Sequence, residues 1–190
     1  ASRRDQQRLN AAARYACGSV QTGGVSGDLR LRVGAWRGTS LLRMQTKAAI
    51  LWERHAPWSV ETIELDPPKT NEVLVKIVAS GMCHSDEHLV TGDMAGVSPE
   101  PPLIGGHEGA GIVVEVGPGT STLQVGDHVV FGFLPACGRC PSCASGHSNV
   151  CDMGAVTATG MQLGDGTSRH HAQGKDVALG IGALGAFAHH

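Results

Sequence analysis

The residues best suited to chemistry lie between Gly81 and Glu108. The run Cys83-His84-Ser85-Asp86-Glu87-His88 follows Gly81 and Met82, and Gly105-Gly106-His107-Glu108 closes the stretch. A thiol and an imidazole, each bracketed by glycine and backed by carboxylates, suit a zinc ion that keeps one coordination position open. Downstream, Cys137-x2-Cys140-x2-Cys143-x7-Cys151 offers four soft ligands in one compact loop, the donor set of a closed tetrahedral site. Gly138 and Gly146 let the backbone fold tightly around such an ion.

Each motif has a rival. A four-iron cluster also takes four cysteines, but its bacterial run places the fourth Cys three residues on, followed by proline. Here that position is His147, and Cys151 precedes Asp152. Cys83 alone reads as a small buried hydrophobe, and His107 alone as a surface or core histidine. Their glycine brackets, with Asp86 and Glu108 beside them, shift the reading toward ligation. Asp86 is placed to accept a hydrogen bond from the far nitrogen of His107 and fix its tautomer. His84 and His88 share a helix face at a spacing of four, but no third ligand joins them, so separate roles are expected. His55, His128, His147 and the pairs His170/His171 and His189/His190 read as exposed or loop histidines.

The elements that must position these groups read as β. Lys47–Trp52, Val60–Leu65, Val73–Ala79, Gly109–Val116 and His128–Phe133 are predicted strands, the third delivering Gly81 and Cys83 at its end. Pro67 and Pro68 end the second. Ser85–Val90 allows about one and a half helical turns before Gly92, and 92–102 is a Gly-, Pro- and Ser-rich loop. Short strands with glycine turns predict a mainly β fold, a small, partly open barrel with few helices. Residues 154–190 show no clear periodicity. Gly180-x-Gly182-x2-Gly185 matches the dinucleotide fingerprint, but only five residues follow it, so it reads as a chance match.

The net charge of −2 hides an asymmetry. Residues 1–43 hold eight arginines, no lysine and two aspartates, whereas 44–190 is acidic. The basic arm invites nucleic-acid or organellar-targeting readings, but its arginines lie among Ala, Gly and Ser with no periodic apolar face. Because the first Met is Met44, the arm reads instead as non-native read-through. No apolar run reaches membrane-spanning length. Clustered cysteines, with Cys17 left over, point to metal thiolates in a reducing cytoplasm rather than disulfides.

Together these segments resemble the zinc-containing medium-chain alcohol dehydrogenases, in the style of the actinobacterial branch. The resemblance runs from about Lys47 to about Ala188. It rests on Cys83 to His88, on Gly106-His107-Glu108-x2-Gly111-x5-Gly117, on Gly126-Asp127, and on the cysteine lobe (135–153) with Gly138, Gly146 and Asn149. Thr120 departs from the family's usual small apolar residue. The resemblance implies a GroES-like catalytic domain over 44–190, incomplete here, and NAD- or NADP-linked interconversion of alcohols with aldehydes or ketones. It implies Cys83 and His107 as catalytic zinc ligands, Glu108 behind or transiently on the metal, and Cys137, Cys140, Cys143 and Cys151 around structural zinc. Ser85 takes the alcohol proton and His88 passes it on; His84 contacts the cofactor pyrophosphate; Phe133 and Met94 line the substrate pocket. It also implies a small-molecule substrate, a homo-oligomeric parent, and a third zinc ligand and Rossmann domain outside this chain, which alone is expected to be inactive. The competing expectations are a zinc-ribbon-like module using the basic arm on nucleic acid, and an iron–sulfur electron carrier.

Overall fold

The computed structural model describes residues 43–190. The basic arm read in the sequence, with Cys17 in it, lies outside the described residues apart from Arg43. Strands β1 (Met44–Leu51), β2 (Ser59–Leu65) and β3 (Val73–Gly81) precede helix α1 (His84–Thr91). Then come β4 (Leu103–Ile104), β5 (Glu108–Val116), β6 (His128–Val130), the one-turn helix α2 (Pro141–Ala144), β7 (His170–Ala172) and β8 (Lys175–Leu179). Single 3-10 turns occupy Ser148–Val150 and Ile181–Ala183, and a longer one runs over Asp152–Thr159.

Five strands close into a barrel in the order β1-β2-β7-β8-β4, and β3-β5-β6 form a separate sheet. The expected barrel is therefore present, but closed rather than partly open. Closure depends on the two residues of β4, which pair antiparallel with β1 and parallel with β8. Strands β7 and β8 fall in the stretch without clear periodicity, and β4 lies just past the loop read over 92–102, where no element was predicted. Val177, Ala178 and Leu179 are all buried, so β8 lacks the alternation of a half-solvated strand.

Two apolar clusters hold the barrel. Ala48, Ile50, Ile63, Ile104, Ala172, Val177, Leu179 and Ala188 form one. Leu51, Leu89, Leu103, Ala178 and Ile181 form the other, with Trp58, Val90, Met94 and Met161 against it. Leu89 is the apolar anchor of α1, fully buried and worth about 1.5–3 kcal/mol. It fixes the helix on which Ser85, Asp86 and His88 ride. Gly92 ends that helix in the left-handed region (φ 83°), where its amide donates to the His88 carbonyl.

His170 corrects the reading of the histidine pairs as exposed or loop residues. It lies on β7 opposite Val177 and is 8% exposed. The reason is register: pairing of β7 with β2 and β8 turns His170 inward. His171 lies between Asp66 and Asp176, at 3.0 and 2.8 Å. Within the glycine run 180–185, Ile181–Ala183 form a 3-10 turn. Among the described residues no helix is long and apolar enough to cross a membrane.

Candidate metal centre and active site

Cys83, His107 and Glu108 arrive from two directions. Cys83 follows the last residue of β3 by two and caps α1 in an extended conformation (φ −105°, ψ 152°). His107 precedes β5, of which Glu108 is the first residue. The β3–β5 pairing places Gly81 opposite Glu108 and so draws the two ends together. One ligand atom from each of Cys83, His107 and Glu108 lies within 4.8 Å of the other two. Ligands of tetrahedral zinc stand about 3.3–3.8 Å apart, given bonds of about 2.0–2.3 Å. The observed cluster is at most about 1–1.5 Å wider.

Asp86 ties the two arms. The residue is 4% exposed, and its carboxylate accepts the Cys83 amide at 3.2 Å and the Gly106 amide at 3.0 Å. A buried carboxylate without such donors would be costly, so this pairing fixes the backbone on both sides of the cluster. His107 Nδ1 stands 3.5 Å from Asp86 Oδ1. That is too long for a hydrogen bond, and Nδ1 is buried with no partner. The expected Asp86–His107 bond is therefore approached but not closed, and the other ring nitrogen is left for a ligand role.

The chemistry of the donor set fits a cation. The backbone amide and hydroxyl of Ser85, then His107, pull the Cys83 thiol below its ordinary range. A thiolate and the Glu108 carboxylate converging without a cation would repel each other. Soft sulfur beside imidazole nitrogen selects zinc among the common divalent ions.

The second cluster, Cys137, Cys140, Cys143 and Cys151, is also drawn within 4.8 Å, with Cys140 and Cys151 sulfurs 3.8 Å apart. Sulfur also serves as the local hydrogen-bond acceptor. The Cys140 amide donates to Cys137 Sγ and the Cys143 amide to Cys140 Sγ, both at 3.4 Å. Backbone amides of Arg139 and Cys140 push the Cys137 thiol down to about 6, favouring thiolate.

The remaining candidates surround the first cluster. Ser85 Oγ lies 3.6 Å from Cys83 Sγ. His88 packs edge-on to His84 at 4.8 Å, and its Nδ1 lies 3.0 Å from Asp93 Oδ2. Sequence reasoning missed Asp93, although its place just past the Gly92 helix stop was a usable signal. The half-exposed Phe133 ring stands 5.9 Å from the His107 ring. Met94 packs against the Leu51–Leu103 cluster.

The sequence model for the alcohol dehydrogenase GroES-like domain matches residues 69–188. The chain belongs to this family. It is 53% identical over 136 residues to alcohol dehydrogenase B of Mycobacterium tuberculosis, covering 70% of this chain and 35% of that protein. With the NDMA-dependent alcohol dehydrogenase of Amycolatopsis methanolica it shares 47% over 145 residues, covering 76% and 38%. Among solved structures, an alcohol dehydrogenase zinc-binding domain protein from Burkholderia ambifaria matches with TM-score 0.68 and 37% identity, covering 77% and 39%. Benzyl alcohol dehydrogenase from Acinetobacter calcoaceticus matches with TM-score 0.65 and 32% identity, covering 76% and 38%. The chain thus spans between a third and two fifths of these relatives' lengths. The GroES-like fold expected from the family resemblance is borne out.

Proposed function

We propose that residues 44–190, with a cysteine lobe over 135–153, form the catalytic-domain portion of a zinc-dependent alcohol dehydrogenase of the cytoplasm. Its parent reaction interconverts an alcohol with an aldehyde or ketone, using NAD or NADP. The observation that carries this reading is the convergence of Cys83, His107 and Glu108 within 4.8 Å beside Ser85 and His88. Cys83 and His107 hold the catalytic ion, Glu108 stands as its further donor, and Cys137, Cys140, Cys143 and Cys151 hold a structural ion. Zinc bound in the first cluster would supply Lewis-acid polarisation of the alcohol oxygen, and a nicotinamide cofactor would supply the hydride acceptor.

The chain's own residues handle the proton and the geometry. Ser85 accepts the alcohol proton, since a hydroxyl both accepts and donates. His88 carries it toward solvent, oriented by Asp93. Asp86 holds the Cys83 and Gly106 amides in place. His84, exposed on the first turn of α1, contacts the cofactor pyrophosphate, and Phe133 and Met94 border the substrate.

Elemental analysis of the purified chain tests this. Two zinc equivalents are expected, one tight and one weak, with Cys83→Ser removing only the weak one. Stoichiometric iron, or a single equivalent indifferent to Cys83, overturns the reading. Among the described residues no strand–glycine–helix unit for a dinucleotide is present, so this chain should reduce no NAD with ethanol above a metal-stripped control.

A further inference from the structure

Gly81 ends β3 opposite Glu108, the first residue of β5. It is not among the glycines with a left-handed backbone, so conformation does not demand glycine here. Space does. A Cβ on Gly81 would fall 2.1 Å from Glu108 Oε2, 3.1 Å from its Cβ and 3.2 Å from its Cδ. The glutamate side chain lies folded across the bare Cα. Glu108 is exposed, and the side-chain hydrogen bond it receives goes to its backbone carbonyl, from Ser80 Oγ at 3.2 Å. Among the described residues no hydrogen bond to that carboxylate sets its aim, and steric shape is left to do so.

We propose that Gly81 is a positioning residue for the metal centre. Its missing side chain forms the seat on which the Glu108 carboxylate turns toward Cys83 and His107. An added methyl group evicts the carboxylate from that seat and takes this further donor away from a zinc-class divalent cation. The closest clash is with the end of a flexible side chain, and the 3.1 Å approach to Glu108 Cβ asks the strand to give by only a few tenths of an ångström, so the strand pairing survives and the carboxylate makes the large move. The proposal rests on reading Cys83, His107 and Glu108 as a metal centre.

The test uses the full chain, its four-cysteine site first filled with one equivalent of zinc, then titrated with cobalt(II). Wild type is expected to take up cobalt with a visible d–d spectrum and a thiolate charge-transfer band that Cys83→Ser abolishes. Gly81→Ala should bind that ion about 10- to 100-fold more weakly, the usual cost of losing support around a ligand, with its far-UV circular dichroism and first zinc equivalent unchanged. In the Glu108→Gln background, Gly81→Ala should cost nothing further. Binding by Gly81→Ala within about twofold of wild type, or a loss that adds to that of Glu108→Gln, overturns the proposal. Should the alanine variant fail to fold, Glu108→Gln on native Gly81 decides: cobalt affinity equal to wild type overturns it, and a loss supports it. If wild type takes up no cobalt, or Cys83→Ser keeps it, the metal-centre reading falls and the proposal falls with it.

Discussion

Asp86 and His170 show how differently two buried polar residues can act. Asp86 has donors for its charge, and the donors are the backbone of the two metal-binding arms. Asp86→Asn keeps the shape, removes the charge and presents an amide where an acceptor is needed. It should weaken the second, weaker zinc equivalent about 10- to 100-fold while the four-cysteine equivalent stays tight, as read by competition with a chromophoric chelator. His170 has burial and an unpartnered Nδ1. Burial, then the neighbouring His171, pushes its imidazole down to about 4 from 6.5. The folded state therefore holds it neutral, and the unfolded chain binds the proton first. Its contribution is complete above pH 6.5 and declines as pH falls toward 4, at up to about 1.4 kcal/mol per unit and about 3 kcal/mol in all. Urea unfolding of the His170→Leu variant between pH 7 and 4 should show a shallower loss than wild type. The thiols and His107 were legible from the sequence because glycine brackets and cysteine spacing are local signals. The burial of His170 and the meeting of Gly81 with Glu108 were not, because both follow from strand register.

Elements differ in what holds them. The strands of the barrel bury Ile50, Leu51, Ile63 and Leu103, whereas within 135–153 Cys151 alone is buried. That lobe has no apolar core, and its backbone amides turn to sulfur. Metal binding and local folding are then one equilibrium. Stripping zinc with a chelator should abolish hydrogen-exchange protection at 137–151 while β1 and β2 keep theirs; protection retained in both regions would show that the lobe stands without an ion. The same contrast explains which elements could be read beforehand. Strands β1, β2, β3 and β5 have seven to nine residues and apolar content enough to declare themselves. Strand β4 has two residues, and β8 is two exposed residues followed by three buried ones without alternation, so neither carries a period long enough to see.

Across the whole molecule, ends distant in sequence are tied by one charged knot. Arg169 is 3% exposed and donates to both Glu72 oxygens, at 2.9 and 2.6 Å, and to Asp165 at 2.9 Å. Lys69 adds a 3.0 Å bond to Asp165. Removing one partner of a buried pair strands the other, so Arg169→Ala should cost about 3 kcal/mol in denaturant unfolding. Arg169→Met paired with Glu72→Gln should recover part of it. A different dependence lies in the barrel's seam. The residues that close the ring, Leu103 and Ile104, lead directly into Gly105, Gly106 and His107. Their partners on β1 lie more than fifty positions earlier in the chain. Such distant pairings are slow to find because the intervening loop must be closed first. His107 lies between this seam and β5, so its imidazole is held from both sides only once the hoop is fastened as well as β3 paired with β5; in refolding this centre should be filled last, after the lobe has already taken its own ion.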